Sequence, residues 1–315
     1  MGKVPLMIGL GELLWDLLPS GKVLGGAPAN FAYMAKVLGN EGIVASRIGS
    51  DDLGREALIT MGKLGLVVKH VQIDDCYPTG TAGVVLDGNG QPNFSIEEPV
   101  AWDSLQWTED WKEIASRANV VCFGTLAQRS ALAAQTIENF LQSVPANSFK
   151  ICDVNLREPY YTRDTLRSSF AHADMLKLND QELACAASLL SLGHGNELDL
   201  ARTLIEEFDL DLICVTRGAD GSILCSRNEV SEHRGYRIAV ADAVGAGDAF
   251  TACVAHFYIQ GRPIEEISEY ANRFASWVAT QTGATPSISH TTLTEIFRNG
   301  TVNGRMSNLT ATTES

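Results

Sequence analysis

Basic charge is scarce in this chain. Its 315 residues hold 24 Lys and Arg against 38 Asp and Glu, a formal net charge of −14. An acidic surface repels a phosphate backbone, which argues against general nucleic-acid binding. A small anion can still be held by backbone N–H groups, which carry no formal charge. Long apolar runs are missing too. None reaches the roughly 18 residues a spanning helix needs, so no membrane span is expected. The opening stretch, MGKVPLMIGLGELLWDLLPSG, has the apolar look of a signal peptide, but Glu12 and Asp16 break the run and no small-residue cleavage site follows. Clustered metal ligands are absent: the seven cysteines form no CxxC and the six histidines no HExxH, so no zinc site is expected. Most cysteines sit in apolar runs such as VVCFG and LICVT, as reduced core cysteines of a cytoplasmic protein do. Two common phosphate motifs also fail. Gly9 and Gly11 open a GxGxxG, but Leu14 stands where the third glycine belongs. Gly21-Lys22 and Gly62-Lys63 run on into Val23 and Leu64, where a P-loop needs Ser or Thr.

What is present is a β–α alternation, in a chain 45% hydrophobic and long enough to bury a large core. LMIGLG (6–11) and IVASRIG (43–49) read as buried strands. PANFAYMAKVLG (28–39) and DDLGREALITMGKLG (51–65) read as helices, the second capped by Asp51. From residue 119 on, the apolar runs NVVCFG, FKICDVN, DMLKLN and DLICVT are separated by helical patterns. Repeated β–α units predict a mostly parallel sheet covered by helices, with ligands at the carboxyl ends of its strands. Residues 79–98 depart from this: two β-like runs joined by DGNG predict an antiparallel hairpin.

The stretch DAVGAGDAF (242–250) places Gly245, Ala246 and Gly247 where a helix should begin. Small residues there let the N–H groups of a helix start converge on an anion, with the dipole adding positive potential. An aspartate beside a phosphoryl group is electrostatically awkward unless it takes a proton from an attacking hydroxyl, so Asp248 is a candidate general base. The alternative is a glycine-rich helix entry with Asp248 as a first-turn carboxylate.

Five motifs in order, GELLWD with GGAPANFA (25–32), DVNLR, LNDQE, TRGADG and DAVGAGDAF, resemble the ribokinase-like (PfkB) carbohydrate kinases over about residues 4–290. The resemblance implies a ribokinase-like three-layer α/β/α fold, with a mostly parallel central sheet and a small β-sheet lid. It implies one kinase domain over 1–300, with lid segments about 12–24 and 72–103 inserted, and a polar tail at 301–315. By the same resemblance Asp248 is the base, and Gly245, Ala246 and Gly247 form the anion hole. Asp16, Gly25, Gly26 and Asn30 hold the sugar; their chemistry suits hydroxyls, which need paired acceptors and amides. Asn155 and Arg157 face substrate and transferring phosphate, where a surface role for Arg157 is the alternative. Asn179 and Glu182 act around magnesium and the phosphates, Glu182 through water; they also read as a capping box. Thr216, Gly218, Gly221 and Asn272 contact the nucleotide. Asp242, Gly283 and Ser287 flank a possible potassium site. ATP and Mg²⁺ are the implied cofactors, and a homodimer through the lid is the implied assembly.

GELLWDLLP, GGAPAN, PTGTAGVVLD and DVNLREPYY are most similar to fructokinases. Ribokinases, 2-keto-3-deoxygluconate kinases and nucleoside kinases share the core motifs and stay open, as does a non-catalytic regulator on the same fold. In the lid, FSIEEPVAWD marks Glu97, Glu98 and Trp102 as residues that shape the sugar site. Acidic lid residues disfavour an acidic sugar by like-charge repulsion.

Overall fold

The computed structural model describes residues 4–18, 21–86 and 92–298. The chain divides into two compact units, one ending at His172 and one beginning at Ala173.

The first unit runs β1 (Leu6–Leu10), β2 (Leu14–Leu18), β3 (Gly21–Gly25), α1 (Ala27–Val37), β4 (Glu41–Gly49), α2 (Asp52–Lys63), β5 (Val71–Asp74), β6 (Gly80–Leu86), β7 (Pro92–Ile96), α3 (Glu109–Ala115), β8 (Val120–Phe123), α4 (Ala131–Ser143), β9 (Phe149–Asp153) and α5 (Arg163–Ala171). Strands β9-β8-β1-β4-β5 form a wholly parallel sheet. All five residues of β1 are buried, as an unbroken apolar run covered on both faces must be. A separate four-stranded sheet has the order β3-β2-β6-β7. In it β2 runs parallel to β6, while β2–β3 and β6–β7 are antiparallel pairs. The segments expected to make a small sheet therefore pair with each other; the DGNG turn itself lies outside the described residues. Local chemistry starts the helices. Gly26 caps α1 with Pro28 in its first turn, and Asp51 caps α2 by accepting the Gly54 N–H at 2.7 Å.

The second unit runs β10 (Met175–Asn179), α6 (Asp180–Leu190), α7 (Glu197–Phe208), β11 (Leu212–Thr216), β12 (Ser222–Cys225), β13 (Val230–His233), α8 (Ala246–Tyr258), α9 (Ile264–Ala279) and α10 (His290–Arg298). Here β10 and β11 are parallel, and β12 and β13 extend the sheet in antiparallel fashion. The β–α alternation did not foreshadow that hairpin. Mostly parallel sheets with helices, plus a small second sheet, are the predicted fold class. The tail at 301–315 lies outside the described residues. No disulfide joins the cysteines of the described residues; Cys76 is exposed, Cys185 partly so, and the rest are buried. No helix among the described residues is long and apolar enough to cross a membrane.

Candidate active site

Helix α8 begins one residue later than two glycines in its first turn would require. Gly245 is the N-cap, with φ 79°, and the helix runs Ala246–Tyr258, so that of the two glycines only Gly247 is helical, with Asp248 after it. A Cβ at residue 245 would meet the Cα of Ala284 at 2.6 Å, so both the backbone angle and the space require glycine. The N–H groups of a helix's first turn have no partners within the helix and can face an anion; here the Ala246 N–H donates to Ala243 O at 3.3 Å. At Gly247 an added Cβ would stand 3.0 Å from Nζ of Lys177. Lys177 sits on β10, two residues before Asn179, and is only 6% exposed. A buried ammonium therefore lies beside the bare backbone of the helix start. The motif reading did not include Lys177. Its signal was a lysine inside the apolar run DMLKLN, since lysines are seldom fully buried.

Asp242 organises the loop before this turn. Its Oδ1 accepts the Val244 N–H at 3.0 Å and its Oδ2 the Gly283 N–H at 3.1 Å. Ser287 is exposed further along that second loop. Asn179 and Glu182 form a reciprocal capping box on α6, each side chain accepting the other's N–H at 2.8 Å. The box engages Oε2 of Glu182, a residue 7% exposed. Thr216 ends β11, and Gly218 and Gly221 shape the turn after it. Asn272 is buried, and its amide nitrogen donates to Ser222 Oγ at 2.8 Å and Ser268 O at 2.7 Å. Both amide protons are used inside the fold, so the expected nucleotide contact cannot come from that nitrogen.

In the first unit, Asp16 lies on β2 and Gly25 on the neighbouring β3. A Cβ at Gly25 would collide with the Asp16 carboxylate, so glycine leaves room for that group. Gly26 has φ 111°, and a Cβ there would come 2.5 Å from Glu12 O. Asn30, buried in α1, donates its N–H to Gly26 O at 3.1 Å. Asn155, just past β9, has φ 43° and donates its side-chain amide to Asp153 Oδ1 at 3.0 Å. Burial pushes the Asp16 carboxyl above its ordinary pKa of 3.8, and the positive charge of Arg157 partly pulls it back. The exposed Arg157 thus acts on Asp16 through its charge, while its Nη1 donates to Leu156 O at 3.0 Å.

Two lid residues part company. Glu97 is exposed. Trp102 is 0% exposed, stacked under Arg129, and so presents no surface to a sugar. The expectation of Trp102 as a sugar contact is corrected: an indole this large is held in the core by the area it buries. The predicted residues thus form two groups. Asp16, Gly25, Gly26, Asn30, Glu97, Asn155 and Arg157 belong to the first unit, and the first turn of α8, the capping box and the turn after β11 to the second.

Residues 20–291 match the pfkB family carbohydrate kinase domain. A fructokinase of Escherichia coli is 30% identical over 259 residues, covering 77% of this chain and 81% of its own. Among solved structures, a Xylella fastidiosa fructokinase with bound ATP superposes with a TM-score of 0.77 at 23% identity, covering 89% of this chain and 94% of that one. A double-mutant Vibrio cholerae O395 fructokinase in its fructose-, ADP- and potassium-bound form gives 0.73 at 22% identity, covering 92% and 95%.

Proposed function

The chain belongs to the pfkB family of carbohydrate kinases and is a sugar phosphotransferase, and on that footing we propose that it phosphorylates D-fructose from ATP, giving fructose 6-phosphate and ADP. One observation carries the chemical part of this reading. The first turn of α8 combines a glycine cap that tolerates no side chain, an adjacent buried lysine and an aspartate at its third position. Asp248 takes the proton of the sugar hydroxyl as its oxygen bonds to the γ-phosphorus. The bond from that phosphorus to the β,γ-bridging oxygen breaks, and ADP leaves. The N–H groups of α8 and the Lys177 ammonium stabilise the charge on the transferring group.

The residues present fit the implied cofactors. A cradle kept clear of Cβ atoms suits nucleotide phosphates, and the Glu182 carboxylate suits a hydrated Mg²⁺, which supplies charge neutralisation when bound. A potassium ion would rest on backbone carbonyls of the two loops that Asp242 ties together, at Gly283 and toward Ser287. Fructose itself is assigned to Asp16, Gly25, Gly26, Asn30 and Asn155. Support comes from the fructokinase relative at 30% identity and from the acidic Glu97 and Glu98 of the lid, which repel an acidic sugar. The test is ADP release with fructose, ribose, glucose, adenosine and 2-keto-3-deoxygluconate, and identification of the phosphorylated product. Fastest turnover on fructose supports the assignment; turnover confined to another acceptor sinks it.

A further inference from the structure

Arg129 ends a 3-10 turn, Leu126–Arg129, in the first unit. Its side chain is only 4% exposed, yet it carries a charge. Nε and Nη2 make a forked pair with Asp103, at 2.7 and 2.8 Å. The guanidinium carbon lies 3.9 Å from the Trp102 ring centroid and 4.7 Å from that of Tyr160. Nη1 is buried without a hydrogen-bond partner among the described residues. The group is thus held by stacking and by the fork, a combination open to arginine and not to lysine.

What this assembly grips is the end of β7. Arg129 Nη2 donates to Glu97 O at 2.6 Å, and Tyr160 Oη donates to the preceding carbonyl, Ile96 O, at 2.9 Å. Ile96 is not an arbitrary residue of the small sheet. Across β7, β6 and β2 it pairs with Ala82, and Ala82 pairs with Asp16. One cross-strand row therefore runs from the gripped carbonyl to the carboxylate assigned to the sugar. Tyr160 also donates its N–H to Arg157 O at 2.7 Å, in the loop that carries Asn155 and Arg157. A single stacked group joins the sheet bearing Asp16 to the loop bearing Arg157.

We infer that Arg129, through Tyr160, is a positioning residue for the sugar subsite: it sets the height of the Asp16 row against the Asn155–Arg157 loop. This rests on the sugar assignment proposed above. A buried ion pair is a poor stability device, because apolar residues of similar volume often replace it without loss. Geometry is a better reason to keep it, since a small misplacement of a binding group is costly in rate.

The experiment measures steady-state KM and kcat for ATP and for the sugar that the wild-type enzyme phosphorylates best, in Arg129→Met, Arg129→Lys and Tyr160→Phe. Tyr160→Phe keeps the ring and loses only the bond to Ile96, so it decides the matter should an Arg129 variant fail to fold. The expected result is a sugar KM raised by about tenfold or more in the Arg129 variants and by a smaller factor in Tyr160→Phe, with the KM for ATP unchanged. Arg129→Lys should not rescue. Sugar KM at the wild-type value in folded variants, restoration by lysine, or equal shifts in both KM values would overturn the clamp alone. A wild-type enzyme that phosphorylates no sugar would overturn the clamp and the proposed function together.

Discussion

Lys177 and Gly247 stand side by side, although 70 positions separate them in the chain: a methyl group on residue 247 would come 3.0 Å from the lysine Nζ. The glycine keeps the ammonium against the first turn of α8. Replacing the lysine by methionine keeps much of its volume and removes the charge. Lys177→Met should lower kcat by about 10²-fold, the usual effect of losing one preorganised charge-stabilising group. Gly247→Ala should cause a smaller loss of the same kind by pushing the ammonium aside. Single-turnover kinetics beside thermal melts will separate this from loss of fold; an unaltered kcat in Lys177→Met would remove the lysine from the chemistry.

Asp16 sets a pH dependence whose sign is determined. Burial raises its carboxyl above 3.8, and Arg157 opposes the rise. The ionised form is the better acceptor for sugar hydroxyls, so kcat/KM for sugar should fall as pH drops through this raised value. Arg157→Met removes the opposing charge, and the acid limb should move to higher pH. A limb that stays in place or moves down would contradict the coupling.

The same shift predicts a trade-off between stability and binding. A carboxyl whose folded pKa is raised favours folding only where it is protonated, and that contribution is lost as pH rises through the folded value. At neutral pH Asp16 is therefore a cost. Asp16→Asn should melt no lower than wild type, while its sugar KM rises by about tenfold or more. Calorimetry on the same preparation used for kinetics reads both.

Asp51 works in the opposite direction. Burial pushes its carboxyl up, but the Thr79 hydroxyl and the Thr79 and Gly54 N–H groups outweigh burial and hold it below the ordinary value. Its stabilisation is present above the unfolded pKa and fades as pH falls through the lowered folded one. Asp51→Ala should cost about 1–2 kcal/mol at pH 7, mostly the lost cap. The deficit relative to wild type should shrink in acid, as urea unfolding at a series of pH values will read.

Legibility in the sequence followed the range of the interaction. The Asp51 cap and the Asn179–Glu182 box were visible because an oxygen and the N–H it serves are three residues apart. The small sheet was foreshadowed by DGNG between two β-like runs, yet nothing local announced that β2 would run parallel to β6. Lys177 escaped because its partner lies in a distant motif. Trp102 was misjudged because an aromatic in a polar lid sequence gives no sign that Arg129 will cover it. The same blindness hid Arg129, whose partners Glu97 and Asp103 lie in the lid stretch and Tyr160 in a separate loop.

Asp248→Asn separates proton abstraction by this side chain from a purely structural role at the start of α8. The amide keeps the shape of the side chain and cannot take the sugar's proton. If Asp248 is the base, kcat falls by about 10²-fold or more, with ATP bound at near wild-type affinity by calorimetry. A variant that turns over at close to the wild-type rate would contradict general-base catalysis by Asp248, and with it the reading of the α8 first turn as the site of phosphoryl transfer.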